Sequence, residues 1–232
     1  MTRTCRPLPP GGEADGPPGA VAELVSAGAV RVGVDGVDGV GKTTFARRLA
    51  AELETAGRSA IHISADGFHH PRAVRHRRGR DSAEGFWLDS YDYPALIANV
   101  LAPFGPAGNR RYRTAVHDVD TDEVLDLPWL TAPADAIVVV DGLFLHRDEL
   151  AAHWDFSVFL SAPFEVTVPR MAARDGSHPD PAHPSQARYV QGQRRYFAAC
   201  EPWQRASVVV DNTDVTRPRR VLPADAGAEA EA

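Results

Sequence analysis

The stretch GVDGVGKTT, residues 36 to 44, follows the apolar run AVRVGVD (29 to 35) and opens the helical pattern KTTFARRLAAELETAG (42 to 57). Gly36, Gly41, Lys42 and Thr43 satisfy G-x-x-x-x-G-K-[ST] between a strand and a helix, the context in which that spacing makes a phosphate-binding loop. Glycines let backbone N–H groups turn inward around phosphate oxygens, and the first turn of the helix adds roughly half a positive charge. Composition sharpens the point. Of 25 Lys and Arg residues 24 are Arg, and the single Lys is Lys42; a compact ammonium fits between phosphate oxygens where a planar guanidinium would not. Gly36, Asp38, Gly39, Val40, Gly41, Lys42, Thr43 and Thr44 are therefore the expected nucleotide-binding positions. Lys42 is expected on the β and γ oxygens of ATP and Thr43 on a Mg²⁺ ion. The rival fingerprint G-x-G-x-x-G fits in no register, which disfavours a dinucleotide site.

A loop of this kind has to sit between a strand and a helix, and the rest of the chain supplies both in alternation. Strands are predicted at 29–35, 59–64, 136–141, 155–161 and 206–211, all short and β-branched as in strands buried on both faces. Helices are predicted at 42–57, 93–104, 164–175 and 184–200. The expected fold is α/β, a P-loop NTPase fold with a five-stranded, mainly parallel sheet flanked by helices. Residues 110 to 127 break the alternation and predict a small β-hairpin insertion. DGSHPDPAHPSQ (175 to 186) has the Gly and Pro content of a lid. Residues 1–19 and 216–232 are rich in Pro, Gly, Ala and charge, so disordered tails are expected on either side of one kinase domain at 20–215.

A phosphate loop serves switches, motors and kinases alike, so its partners decide. AIVVVDGL places Asp141 at a strand end, where it can bind Mg²⁺ with Thr43 or simply cap the next turn. SADGFHH places Asp66 at the end of the second strand, where ligands of open α/β sheets gather; a carboxylate there can accept the proton of an attacking hydroxyl, or serve a turn before Gly67. His69 and His70 are adjacent and cannot easily share one ion, so packing or substrate-edge roles are expected. Arg170 and Arg174 lie one turn apart on one helix face leading into the lid, which would bring Arg174 to the transferring phosphoryl group and exclude water. HRDELAAHW and DFS (146 to 157) imitate protein-kinase signatures, but His153 and Ser157 occupy the places of the required Asn and Gly, so a helix and a strand are expected there. A guanine-specific Asn-Lys-x-Asp motif needs a second Lys, which the chain lacks.

The phosphate loop, SADGF, DSYDYPAL, RRYRTAVHD, VVVDGLF, an Arg-bearing helix with a lid and a terminal VVVDN occur in an order that resembles the uridine kinase and phosphoribulokinase superfamily of small-molecule kinases, over about residues 28 to 213. The resemblance implies that Asp66 is the general base for a ribose 5'-hydroxyl and that Asp89 holds ribose hydroxyls. It further implies that Tyr112 and His117 contact a uracil ring. On the helix after the lid, Gln193, Arg188 and Arg194 are weaker site candidates, since polar residues on exposed helix faces are common. Two departures bear on the acceptor: Asp141 stands where uridine kinases usually carry Glu, and the lid has Pro and His in place of an Arg-Gly-Arg-Asp pattern. DGFHHP followed by GFWLDSYDYPAL also resembles bacterial pantothenate kinase, in which case the arginines of 72–80 would serve a larger, anionic ligand. The expected activity is ATP- and Mg²⁺-dependent phosphorylation of a primary hydroxyl, that of uridine or cytidine first and of pantothenate or another small alcohol second. A nucleotide-gated binding protein is the alternative outside enzymes.

A net charge of -6 disfavours nucleic acid or a membrane surface as a main partner, and no run has the ~18 apolar residues of a bilayer span. Charge is uneven: 71–80 carries five Arg and no acid, and 117–126 five acids and no base, the latter expected as a solvated face. The first 19 residues lack an apolar signal core, and Cys5 and Cys200 are far apart, so a cytoplasmic protein without disulfides is expected. The partner expected is a small-molecule substrate, with homo-oligomer formation left open.

Overall fold

A computed structural model describes residues 18–25 and 28–226. The strands are β1 (Arg31–Gly36), β2 (Ala60–Ser64), β3 (Arg111–Tyr112), β4 (Leu130–Thr131), β5 (Ile137–Asp141), β6 (Phe156–Ser161), β7 (Val208–Asp211) and β8 (Arg219–Val221). The helices are α1 (Pro18–Leu24), α2 (Lys42–Thr55), α3 (Arg72–Arg75), α4 (Ala83–Asp89), α5 (Tyr93–Leu96, continued by a wider turn to Leu101), α6 (Asp148–Ala151), α7 (Phe164–Asp175), α8 (Ala187–Cys200) and α9 (Pro202–Arg205).

The main sheet runs β2-β5-β1-β6-β7-β8, with the first five strands parallel. Its middle is made of β-branched residues because both faces are covered. Every residue of β5 and β6 is buried, and each Val there contributes roughly 1.5–3 kcal/mol by leaving water. The expected α/β fold is present, but the sheet has six strands rather than five. The sixth, β8, pairs antiparallel with β7 through Val209↔Val221 and Asp211↔Arg219. It lies in a stretch read from sequence as tail, because PRRV carries neither an apolar run nor alternation. Its strand character comes from an edge position, where charged side chains are favoured, and Arg219 reaches the Asp211 carboxylate at 2.7 Å. The expected tail positions 1–17 and 227–232, with Cys5, lie outside the described residues.

The insertion is the expected hairpin and extends further than expected. β3 and β4 pair antiparallel, and an inner bridge joins His117 to Val124. The acidic stretch is not simply a solvated face: Asp122 Oδ1 accepts the Arg72 N–H at 2.7 Å, and Asp126 pairs with Arg113 at 2.8 Å. The two unevenly charged segments thus dock on each other. Among the described residues no helix is long and apolar enough to cross a membrane.

Candidate active site

The carboxyl ends of β1, β2 and β5 come side by side, with Ser64 and Val34 both in register with Asp141. Above them opens a cleft of about 870 Å³. One wall is Asp38, Gly39, Gly41, Lys42, Thr43 and Thr44, with Asp141 against Thr43; Asp66 and Tyr91 line the cleft as well, and Arg170 and Arg174 lean in from α7. Lys42 and Asp66 therefore share one cavity.

The phosphate loop takes its shape from two glycines. Gly39 has φ +78°, and a Cβ there would sit 2.4 Å from the Thr167 carbonyl of α7. Gly41 has φ +96° and caps α2, so the amino end of that helix opens on the cleft with no acidic residue in its first turn. Only glycine tolerates such backbone beside such neighbours. Lys42 Nζ donates to the Val37 carbonyl at 2.8 Å, and Asn212 Nδ2 to the Val40 carbonyl at 2.6 Å. Thr43 Oγ1 donates to Asp141 Oδ2 at 2.7 Å, and the other oxygen of Asp141 is 2.6 Å from His62 Nε2. A hydroxyl and a carboxylate held together at a helix start suit Mg²⁺, which takes one or two protein oxygens and fills its remaining positions with phosphate oxygens and water.

On the facing wall, Asp66 sits in a single turn after β2, and Ser64 Oγ accepts its N–H at 3.3 Å. Tyr91 donates its hydroxyl to Asp66 Oδ1 at 3.0 Å. Burial, then the charge of Asp66, pushes the Tyr91 hydroxyl well above its ordinary value, so it stays a donor. His69 Nδ1–H donates to the Asp66 carbonyl at 2.9 Å, and burial pulls its imidazole below the ordinary value. Beyond Asp66 the cleft turns basic: Arg75, His76, Arg80 and Arg188 all line it. Burial, and after it the charges of Arg75 and Arg80, hold the Arg188 guanidinium below its usual value. Burial and then Arg188, Arg75 and Arg80 lower His76 as well.

The structure brings together most of the residues singled out from sequence, and it separates five, one of them Arg194, whose guanidinium lies over the Phe164 ring. Asp38, Gly39, Gly41, Lys42, Thr43, Thr44, Asp66, Asp141, Arg170 and Arg174 line the cleft; Gly36 and Val40 lie behind the loop. Arg170 also donates to the Asn212 and Thr213 carbonyls. Asp89, expected at a ribose, does not line the cleft. It is buried under the Arg77 and Arg78 guanidiniums, which overcome the upward push of burial and hold its carboxyl below the ordinary value. Tyr112 is drawn into the core edge-on to Phe104, and His117 is buried with Nε2 3.3 Å from Asp122 Oδ1, so neither reaches the cleft. Gln193 bonds the phosphate loop rather than the open cavity. Sequence reasoning missed Tyr91, two residues beyond Asp89 in the same DSYDY segment. The arginines of 72–80, expected at an anionic ligand if the pantothenate kinase resemblance holds, contribute Arg75 and Arg80 to the cleft, where Arg188, a weaker candidate, joins them.

No family-level sequence model matches the chain. Among curated proteins it is 31% identical to a pantothenate kinase of Rhodopseudomonas palustris (strain HaA2) over 219 residues, 85% of this chain and 68% of that one. It is 29% identical to a pantothenate kinase of Cronobacter sakazakii over 153 residues, 58% of this chain and 46% of that one. Among solved structures it is similar to that of a possible uridine kinase from Bacillus stearothermophilus, with TM-score 0.65 and 22% identity over 83% of this chain and 96% of that one. It is similar also to phosphoribulokinase from Rhodobacter spheroides, with TM-score 0.56 and 16% identity over 80% and 71%. The structural likenesses concern the fold; the sequence likeness carries kinship. A phosphate loop facing a carboxylate across one cleft, on this fold and with these relatives, means that the chain belongs to the uridine kinase and phosphoribulokinase superfamily of P-loop small-molecule kinases, which includes the pantothenate kinases.

Proposed function

We propose that this kinase transfers the γ-phosphoryl group of ATP to a primary hydroxyl of a small acid, with pantothenate the leading acceptor. The observation that carries the reading is the row of Arg75, Arg80 and Arg188 beyond Asp66 in the same cleft. Arg188, held below its usual value by burial and then by the charges of Arg75 and Arg80, gains from an anion in this part of the cleft, and a carboxylate is the natural partner of guanidinium forks. The name of the sequence relatives supports the same acceptor class.

In this reading the backbone N–H groups ahead of α2 and the Lys42 ammonium hold the β and γ oxygens. Thr43 and Asp141 would hold Mg²⁺, which when bound neutralises phosphate charge. The base of the nucleotide fits beside Gly41, in a recess of about 120 Å³ bordered by Thr44, Phe45, Arg48, Asn212 and Val215. Tyr91 aims Asp66 at the acceptor, and Asp66 takes the hydroxyl proton as the new O–P bond forms and the bond to the ADP oxygen breaks. Arg174, exposed on α7 and tied only loosely to Asp175 at 3.4 Å, is free to swing to the transferring group as the lid closes. Most of the rate enhancement then comes from positioning and charge neutralisation.

The second reading, uridine or cytidine as acceptor, is favoured by Phe86, Tyr91 and Tyr189 on the cleft wall, since aromatic faces can stack a base. It loses ground because Tyr112 and His117, its expected ring contacts, are packed elsewhere. ADP release from ATP and Mg²⁺, measured with pantothenate, uridine, cytidine and glycerate in turn, separates the readings. Stimulation by pantothenate alone is the expected result; stimulation by a nucleoside alone would transfer the assignment. Hydrolysis indifferent to every acceptor would leave a nucleotide-gated binding protein.

A further inference from the structure

The crown of the phosphate loop is held from outside the loop. Gln193 of α8 is only 3% exposed, although a polar residue on an amphipathic helix is ordinarily left in water. Its Oε1 accepts the Asp38 N–H at 2.7 Å, and its Nε2 donates to the Tyr189 carbonyl at 3.2 Å. A donor at one end and an acceptor at the other leave the amide a single orientation. Three residues on, the Tyr196 hydroxyl donates to Asp35 Oδ2 and accepts the His146 N–H at 3.0 Å. The second oxygen of Asp35 accepts the Gly36 N–H at 2.7 Å. Helix α8 thus touches the loop at two points, just ahead of Gly36 and at Asp38.

The grip is rigid. Tyr189, Gln193 and Tyr196 are spaced four and three apart and fall on one face of α8. Gly192 lies so close to α4 that a Cβ would be 2.7 Å from Phe86 Cδ1 and 3.0 Å from the Ala83 carbonyl, so α8 cannot slide without disturbing α4. The same helix carries Arg188 and Tyr189 on the acceptor side of the cleft. One rod therefore spans from the acceptor wall to the nucleotide wall, and among the described residues one amide, that of Gln193, links its middle to the loop crown by a hydrogen bond.

We propose that Gln193 is a positioning residue for the phosphate loop: it fixes the peptide at Asp38 so that the N–H groups after it point at the nucleotide phosphates, and it does not contact the acceptor. This rests on the nucleotide-binding reading of the loop and is independent of which acceptor is used. Losing the acceptor atom leaves the Asp38 N–H without its partner and lets the crown re-aim, which weakens every bond the loop makes to phosphate while sparing contacts to the base.

The test is Gln193→Met, which keeps the length of the side chain and removes both polar atoms, with ADP and adenosine titrated calorimetrically into the full chain. The expected result is ADP affinity about 10-fold weaker, adenosine affinity within about twofold, and the KM for pantothenate unchanged. Equal weakening of ADP and adenosine would mean a general structural role, and a raised pantothenate KM with unchanged ADP affinity would make Gln193 an acceptor contact; either overturns the proposal. If the variant does not fold, amide exchange of the unmodified chain decides. Slow exchange at the Asp38 N–H supports the tether and fast exchange removes it. ADP failing to bind the unmodified chain would sink the reading of the loop, and exchange at Asp38 would still test the tether by itself.

Discussion

The wall of the cleft proposed for the nucleotide comes from one contiguous stretch, residues 36 to 44, and takes its shape from backbone conformation. The wall proposed for the acceptor draws Asp66, Arg75, Arg80, Tyr91 and Arg188 from separate segments and depends on their side chains. The first wall is a local property, because glycine positions and a helix start determine where N–H groups point. The second is a tertiary property, because a side chain reaches the cleft only after neighbours have claimed or released it. Asp89 and Asp66 are both strand- or helix-end carboxylates, yet two arginines bury one while a tyrosine leaves the other open to the cleft.

Breaking the nucleotide wall has the largest expected effect. Lys42→Ala removes the only ammonium among the side chains, and transfer should fall by about 10²–10³-fold or more, with ADP affinity falling alongside. Breaking the acceptor wall should instead separate binding from chemistry. Arg80→Ala with Arg188→Ala should raise the pantothenate KM by roughly 10-fold or more, as expected for lost bonds to a charged group, and leave the ATP KM unchanged. The same pair should lose the ability to distinguish pantothenate from its uncharged alcohol analogue, which initial-rate kinetics with both compounds would show. Tyr112→Phe should change the acceptor KM by less than about twofold; a larger change would return the hairpin to the acceptor site.

The smallest effect expected is on stability in acid. The folded-state value of Asp89 is depressed below the ordinary 3.8, since Arg77 and Arg78 outweigh the upward push of burial. Its contribution is therefore complete above that value and is lost as pH falls through the lower folded value. Asp89→Asn should lower the melting temperature at pH 7 and narrow its difference from the unmodified chain as pH falls below about 4. Melting curves between pH 7 and pH 3 would check the sign.

The fold was largely legible because the core strands are uninterrupted β-branched runs and the phosphate loop must join one of them to a helix. The antiparallel β8 was not, because an arginine-rich edge strand is stabilised by its neighbour rather than by its own pattern. Lys42, Thr43, Asp66 and Asp141, singled out from strand ends and loop spacing, all line the cleft. Tyr112, His117 and Asp89 could not be placed, since nothing in their local sequence shows that Phe104, Asp122 and two arginines occupy them. Gln193 stood among the acceptor candidates, and its bond to Asp38 depends on an approach between α8 and the loop that no spacing within either segment encodes.

The shared cleft of Lys42 and Asp66 is tested most directly by Asp66→Asn, assayed for phosphoryl transfer to pantothenate and, in the same preparation, for ADP binding. Transfer is expected to fall by about 10²–10⁴-fold, with ADP affinity within about threefold of the unmodified chain. Transfer that survives the substitution at near the original rate would contradict a proton-accepting role for Asp66 and with it the account of the acceptor wall.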